Sequence, residues 1–132
     1  MHISDGEWEV MRVIWEDEPK TAAEVIAALV DPTGWNHRTI RTMLGRLVEK
    51  GALDYDVDGA RYLYRSAVSQ DDCVRQRSES FLVKVFGGDA SALVAHFVDD
   101  HDLSTEEIEE LSRMLAAKKR QRPTKQSQRK KS

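Results

Sequence analysis

The feature that most constrains this chain is the punctuation of its first 66 residues, which permits only short elements in a set order. Ser4-Asp5-Gly6-Glu7 places a hydroxyl three residues before a glutamate, just ahead of an apolar run, and predicts a capping box. Trp8, Met11 and Trp15 follow at helical spacing, with Val10, Val13 and Ile14 beside them. That helix is expected to end near Asp17, because Pro19 disfavours helical backbone before it. Thr21-Ala22-Ala23-Glu24 repeats the box and opens a short second helix with Val25, Ile26 and Leu29, expected to stop before Pro32. Asp31-Pro32-Thr33-Gly34 reads as a turn. Asn36 then caps a third helix running to Lys50, and Gly51 stands just past its end. Leu53 to Val57 and Ala60 to Ser66 read as strands about an Asp58-Gly59 turn. Three short helices followed by a hairpin predict a winged helix-turn-helix.

After Ser66 the pattern returns to helix. Ser69 caps a long segment with Val74, Phe81, Leu82, Val85 and Phe86, which Gly87-Gly88 ends. Asp89 caps a short helix with Leu93, Val94, Phe97 and Val98. Ser104-Thr105-Glu106-Glu107 is a third capping box, leading into Ile108, Leu111, Met114 and Leu115. The expected fold class is mainly α with a small β-hairpin. Residues 1–68 form the winged-helix domain, 69–117 a three-helix dimerisation segment, and 118–132 a disordered basic tail without apolar period.

Charge is distributed unevenly. The net charge is −3, yet eight of the 20 basic residues lie in the last fifteen, where there is no acid. Without them, 12 bases face 23 acids, a formal −11 for residues 1–117. So acidic a body is a poor general polyanion binder, and any nucleic-acid site must concentrate positive charge locally. No apolar run approaches a membrane span, and the N-terminus has no basic segment followed by an apolar core. The single cysteine, Cys73, excludes an internal disulfide framework and a multi-cysteine metal site. A cytoplasmic protein without membrane insertion, metal or cofactor is the expectation.

The third helix supplies the local positive charge. At 100° per residue, Ile40, Leu44 and Leu47 point one way, while Arg38, Thr42, Gly45 and Arg46 point the other, flanked by Thr39 and Arg41. Arginine forks match guanine edges and phosphates, and threonine offers a hydroxyl with a methyl for thymine. Small residues at 42 and 45 would let the helix come close to a groove. Arg38, Thr39, Arg41, Thr42 and Arg46 are therefore candidate contacts to double-stranded DNA, with Arg61 the main basic candidate in the wing among Asp54, Asp56 and Asp58. A solvated outer face is the plain alternative for such a helix; the tandem helices and hairpin favour DNA. No glycine-rich phosphate loop or nucleophile elbow occurs, so an enzyme is not expected. His96 and His101 are five apart, which is not a helical ligand spacing, and no metal site is expected there.

The C-terminal segment offers three helices in fewer than about fifty residues, too few for independent stability. Phe81, Leu82, Phe86, Leu93, Phe97, Ile108, Leu111 and Leu115 nevertheless need burial. A two-fold homodimer that completes a shared core answers this need; folding back on the winged helix is the other answer.

The chain resembles the penicillinase-repressor and methicillin-resistance-regulator family of winged-helix repressors. The resemblance runs from about Ile3 to Leu115. It is carried by EWEVMRVIW at the first helix, NHRTIRTMLGRLVEKG at the third, RYLY in the wing, and GGDASALVAHFV and LSTEEIEELSRML toward the end. It implies a homodimer on a two-fold, palindromic operator of antibiotic-resistance or cell-wall-stress genes, with groove-facing positions at Arg38, Thr39, Arg41, Thr42 and Arg46. It also implies release by proteolysis at the bond matching His96–Phe97, in a pathway begun by a membrane-embedded metalloprotease sensor. Members near the best-known pair have asparagine where this chain has His96. Two other functions fit a winged helix: a regulator released by a small molecule at the dimer interface, and a protein–protein module that never touches DNA.

Overall fold

Ser4 opens the first helix as its sequence suggests. In the computed structural model, which describes residues 1–121, α1 spans Asp5–Glu16. The Ser4 hydroxyl accepts from the Glu7 amide at 3.2 Å, and the Glu7 carboxylate accepts from the Ser4 amide at 2.9 Å. Glu7 is buried, and burial pushes its carboxyl pKa up. The hydrogen bond from Lys50 and those from Ser4 outweigh that and leave it lowered.

A two-residue strand, β1 (Lys20–Thr21), precedes α2 (Ala22–Thr33). The Thr21–Glu24 box forms, with the Thr21 amide donating to Glu24 at 2.8 Å. Pro32 lies inside α2 and does not end it, contrary to expectation. The last turn is closed instead by the Thr33 hydroxyl, which donates to the Leu29 carbonyl at 2.6 Å. Gly34 then stops the helix at φ +72°, and its amide donates to the Val30 carbonyl.

Next come α3 (His37–Lys50), β2 (Leu53–Asp58) and β3 (Arg61–Ser66). The strands form an antiparallel sheet in the order β1-β3-β2. Asp58 pairs with Arg61, so the two-residue loop is Gly59-Ala60, one residue later than expected. Glycine belongs at the first loop position, where φ is +64°. The core lies among α1, α2, α3 and the base of the hairpin: Val10, Met11, Ile14, Val25, Ile40, Leu44, Leu47 and Leu53 are sealed from solvent. Trp15 donates to the Ser66 hydroxyl at 2.9 Å and so pins β3 to α1.

Three helices follow: α4 (Gln70–Phe86), α5 (Ala90–Asp100) and α6 (Thr105–Gln121). The chain divides into two units, Met1–Ser80 and one beginning at Phe81. This division falls inside α4, beyond the boundary at residue 68 that the sequence suggests. The reason is that Cys73 packs on the core and Arg77 reaches the Ile3 carbonyl, Asp5 and the Trp8 ring. Residues 118–121 of the expected basic tail are helical, because α6 continues through Gln121 with Lys118, Lys119 and Arg120 in its last turn, where cations complement the helix dipole. The rest of that tail, residues 122–132, lies outside the described residues. No single helix among the described residues is long and apolar enough to cross a membrane.

Candidate nucleic-acid interface

Helix α3 is held from behind and open in front. Asn36 caps it by accepting from the Thr39 amide at 2.8 Å, and Gly51 ends it at φ +84°. Ile40, Leu44 and Leu47 anchor it in the core, which turns the opposite face outward. Arg38, Arg41, Thr42, Gly45 and Arg46 are exposed and Thr39 is half-buried. Asn36, Arg38, Thr39, Thr42, Met43 and Arg46 line a shallow depression of about 280 Å³. The structure thus brings Arg38, Thr39, Thr42 and Arg46 together around one depression, while Arg41 is exposed on the same helix outside it.

Their chemistry differs in readiness. Among the described residues, none of Arg38, Arg41 and Arg46 makes an ion pair, so their forks are free for an anionic partner. Lys50 differs, since it binds the Glu7 carboxylate and donates to the His2 carbonyl at 2.8 Å. The Thr42 hydroxyl donates to the Arg38 carbonyl at 2.9 Å, leaving its lone pairs and methyl for a partner. A Cβ at Gly45 would meet nothing within 4 Å. The helix thus carries a glycine there, at about 1 kcal/mol relative to alanine, that no internal contact requires.

The wing is another matter. Asp54, Asp56 and Asp58 share a hairpin face with Arg65, Leu63 and Arg61. Arg61 donates to Asp58 at 2.8 Å, and Arg65 pairs with Asp56. Arg61 is exposed, but it is engaged by its own strand pair and is not grouped with the α3 residues. The other hairpin face holds residues that sequence reasoning passed over. Tyr55, Tyr62 and Tyr64 form a cluster in which the Tyr55 and Tyr62 rings stack at 4.3 Å. Burial raises the Tyr64 phenol pKa, Tyr62 adds to the rise, and the charge of Arg41 opposes it. The i, i+2 spacing within Tyr55-x-Val57 and Tyr62-x-Tyr64 was the available signal.

In the second unit, Phe97 is 46% exposed and His96 sits 3.1 Å from Asp100 within α5. Phe81, Ile108, Leu111 and Leu115 are exposed, and Leu82, Phe86 and Leu93 half-buried. The Phe81 and Phe86 rings lie 6.1 Å apart.

A sequence profile described as penicillinase repressor matches residues 3–117. The penicillinase repressor of Bacillus licheniformis is 39% identical over 113 residues, 86% of this chain and 88% of that protein. The methicillin resistance regulatory protein MecI of Mammaliicoccus sciuri is 39% identical over 116 residues, 88% of this chain and 94% of that protein. The solution structure of the DNA binding domain of the repressor BlaI superposes with a TM-score of 0.51 at 41% identity, covering 54% of this chain and 87% of that one.

Proposed function

The chain belongs to the penicillinase repressor family of winged-helix DNA-binding repressors, which is not a family of enzymes, and we propose that it represses as a homodimer on a two-fold operator. The observation that carries this reading is the solvent side of α3, where three arginines without ion pairs stand exposed beside Thr42 and the half-buried Thr39 in an otherwise acidic body. Each protomer lays that face in the major groove of one half-site. Arg41 and Thr42 meet base edges, while Arg38, Thr39 and Arg46 position the helix on them and on the flanking phosphates. The dimer core comes from Phe81, Leu82, Phe86, Leu93, Phe97, Ile108, Leu111 and Leu115, none of them buried within a single chain and five of them exposed. The genes controlled are antibiotic-resistance or cell-wall-stress genes, and repression ends when His96–Phe97 is cut downstream of a membrane-embedded metalloprotease sensor. That bond lies inside α5, so the helix must open locally before a protease can take it as an extended strand.

Selection of bound sequences from random duplex DNA, followed by gel shift on the chain's own upstream region, tests the core of this reading. A two-fold motif that is present upstream and lost to Arg41→Ala is the expected result. Selection that enriches no sequence, with no upstream shift, would overturn it in favour of a protein–protein module.

A further inference from the structure

The wing has a face that the α3 reading leaves unused. Register places Leu53, Tyr55 and Val57 opposite Ser66, Tyr64 and Tyr62, and strand alternation puts all six on one side. Near its base this side is closed, with Leu53 buried and Tyr64 half-buried. Toward the tip it opens, with Tyr55, Tyr62 and Val57 exposed at 40%, 46% and 66%. The Tyr55 and Tyr62 rings are stacked, 19° from parallel, and Tyr64 closes on them at 6.0 and 6.3 Å. The stack restrains both phenols and lowers the entropy lost when either takes a partner. This face also adjoins the groove helix, since its Leu53 lies in the core with Ile40, Leu44 and Leu47 of α3 and Tyr64 packs against that core. The wing's arginines stand on the other face, engaged by Asp56 and Asp58.

We propose that Tyr55 and Tyr62 form a neutral phosphate clamp, each donating its phenolic hydroxyl to the DNA backbone beside the groove that α3 enters. The proposal rests on the reading of α3 as the groove helix. A neutral donor suits a wing rich in aspartate. The hydroxyl gains a charge-assisted bond to phosphate without adding a cation that the neighbouring carboxylates would capture. Such a contact carries no sequence information, because every backbone position offers the same oxygens. It also leaves the salt dependence unchanged, since no protein charge replaces a counterion.

Titrations of the full chain at several salt concentrations test this, using Tyr55→Phe and Tyr62→Phe beside Arg46→Ala on operator and random duplexes. Phenylalanine keeps the stack, and an unchanged melting temperature checks the fold. Each Phe variant is expected to weaken binding roughly five- to tenfold on both duplexes, with an unaltered salt slope. Arg46→Ala is expected to lower that slope on the operator by about 1.8, about 0.9 for the phosphate contact of each protomer. Phe variants that bind like the parent while Arg46→Ala fails would overturn the clamp alone. Phe variants that bind normally while Tyr62→Ala collapses would show that the rings insert or pack, and would overturn it too. Losses confined to the operator would make the tyrosines base readers, which the proposal excludes. If Arg46→Ala changes nothing on either duplex, the α3 reading falls and the clamp falls with it.

Discussion

Within residues 1–80, Met11, Ile14, Ile40, Leu44, Leu47 and Leu53 are shut off from solvent. In the helices beyond, Phe81, Phe97, Ile108, Leu111, Met114 and Leu115 are 43–63% exposed. Both regions use the same residue types and the same capping chemistry. They differ in whether one chain can close the surface it makes. Three helices and a sheet enclose a core; α5 and α6 contain no buried residue. The first region therefore encloses its own core, and the second carries an apolar surface that its own helices do not bury.

The largest test of that contrast is removal of the second region. A chain ending at His96 keeps all of residues 1–80 and loses α6 with Ile108, Leu111 and Leu115. Binding to a single half-site should be nearly unchanged. Binding to a full operator should fall about 10²–10⁴-fold, the usual advantage of tethering two modules. Fluorescence anisotropy on half and full sites measures both. Full-operator affinity equal to that of the intact chain would break the division of labour.

Core substitutions come next. Leu47→Ala should cost about 2–5 kcal/mol by denaturant titration, at any protein concentration, because the site is enclosed on every side. Leu111→Asp should leave the fold of residues 1–80 intact and shift sedimentation from dimer to monomer, since a dimer core will not take an unpaired carboxylate. A variant that stays dimeric at micromolar concentration would place the interface elsewhere.

The contrast also explains what was legible in the sequence. Caps are local, so Ser4, Thr21, Asn36 and Asp89 act where the residue types place them. The face of α3 was equally plain, because helical period alone decides which side Leu44 buries. Errors arose where tertiary context rules. A strand as short as Lys20–Thr21 has no period of its own and exists because β3 lies beside it. The hairpin loop slipped by one because Asp-Gly and Gly-Ala both suit a tight turn, and pairing of Asp58 with Arg61 decides between them. Arg61 stands exposed as its sequence position suggests, and the ion pair with Asp58 follows from that same pairing. The reach of Arg77 back to Asp5 spans 72 positions, beyond any local pattern.

A smaller effect compares one motif in both regions. Ser4→Ala and Ser104→Ala each delete a helix N-cap, ordinarily about 1 kcal/mol. Ser4 serves a helix inside the closed core, so its loss should lower the melting temperature of residues 1–80 directly. Ser104 accepts from the Glu107 amide at 3.0 Å on an exposed helix. Its loss should appear only as weaker dimerisation. Identical shifts of a single transition would mean that the two regions melt as one.

The smallest expected effect at neutral pH concerns the glutamates of those two boxes. Glu7 titrates below its ordinary value: burial works against its charge, and the bonds from Lys50 and Ser4 outweigh that. Glu107 is also lowered, by the Ser104 amide and then its hydroxyl, with no cation contributing. A carboxylate whose folded pKa lies below its unfolded value adds stability that is fully present above the unfolded value. That stability is lost as pH falls through the folded one. Both boxes should therefore weaken under acid, but only Glu7 does so with a lysine tied to a buried oxygen. Glutamine at either site keeps an acceptor for the cap and removes the titration. Glu7→Gln should flatten the acid limb of stability against pH below about 4.5, the ordinary glutamate value. Glu107→Gln should leave that limb almost unchanged, since its exposed carboxylate is screened by solvent. Thermal melts from pH 7 to pH 3 measure the difference. Equal flattening by the two variants would show that the Lys50 bond adds nothing, and that the closed core confers no electrostatic advantage on its cap.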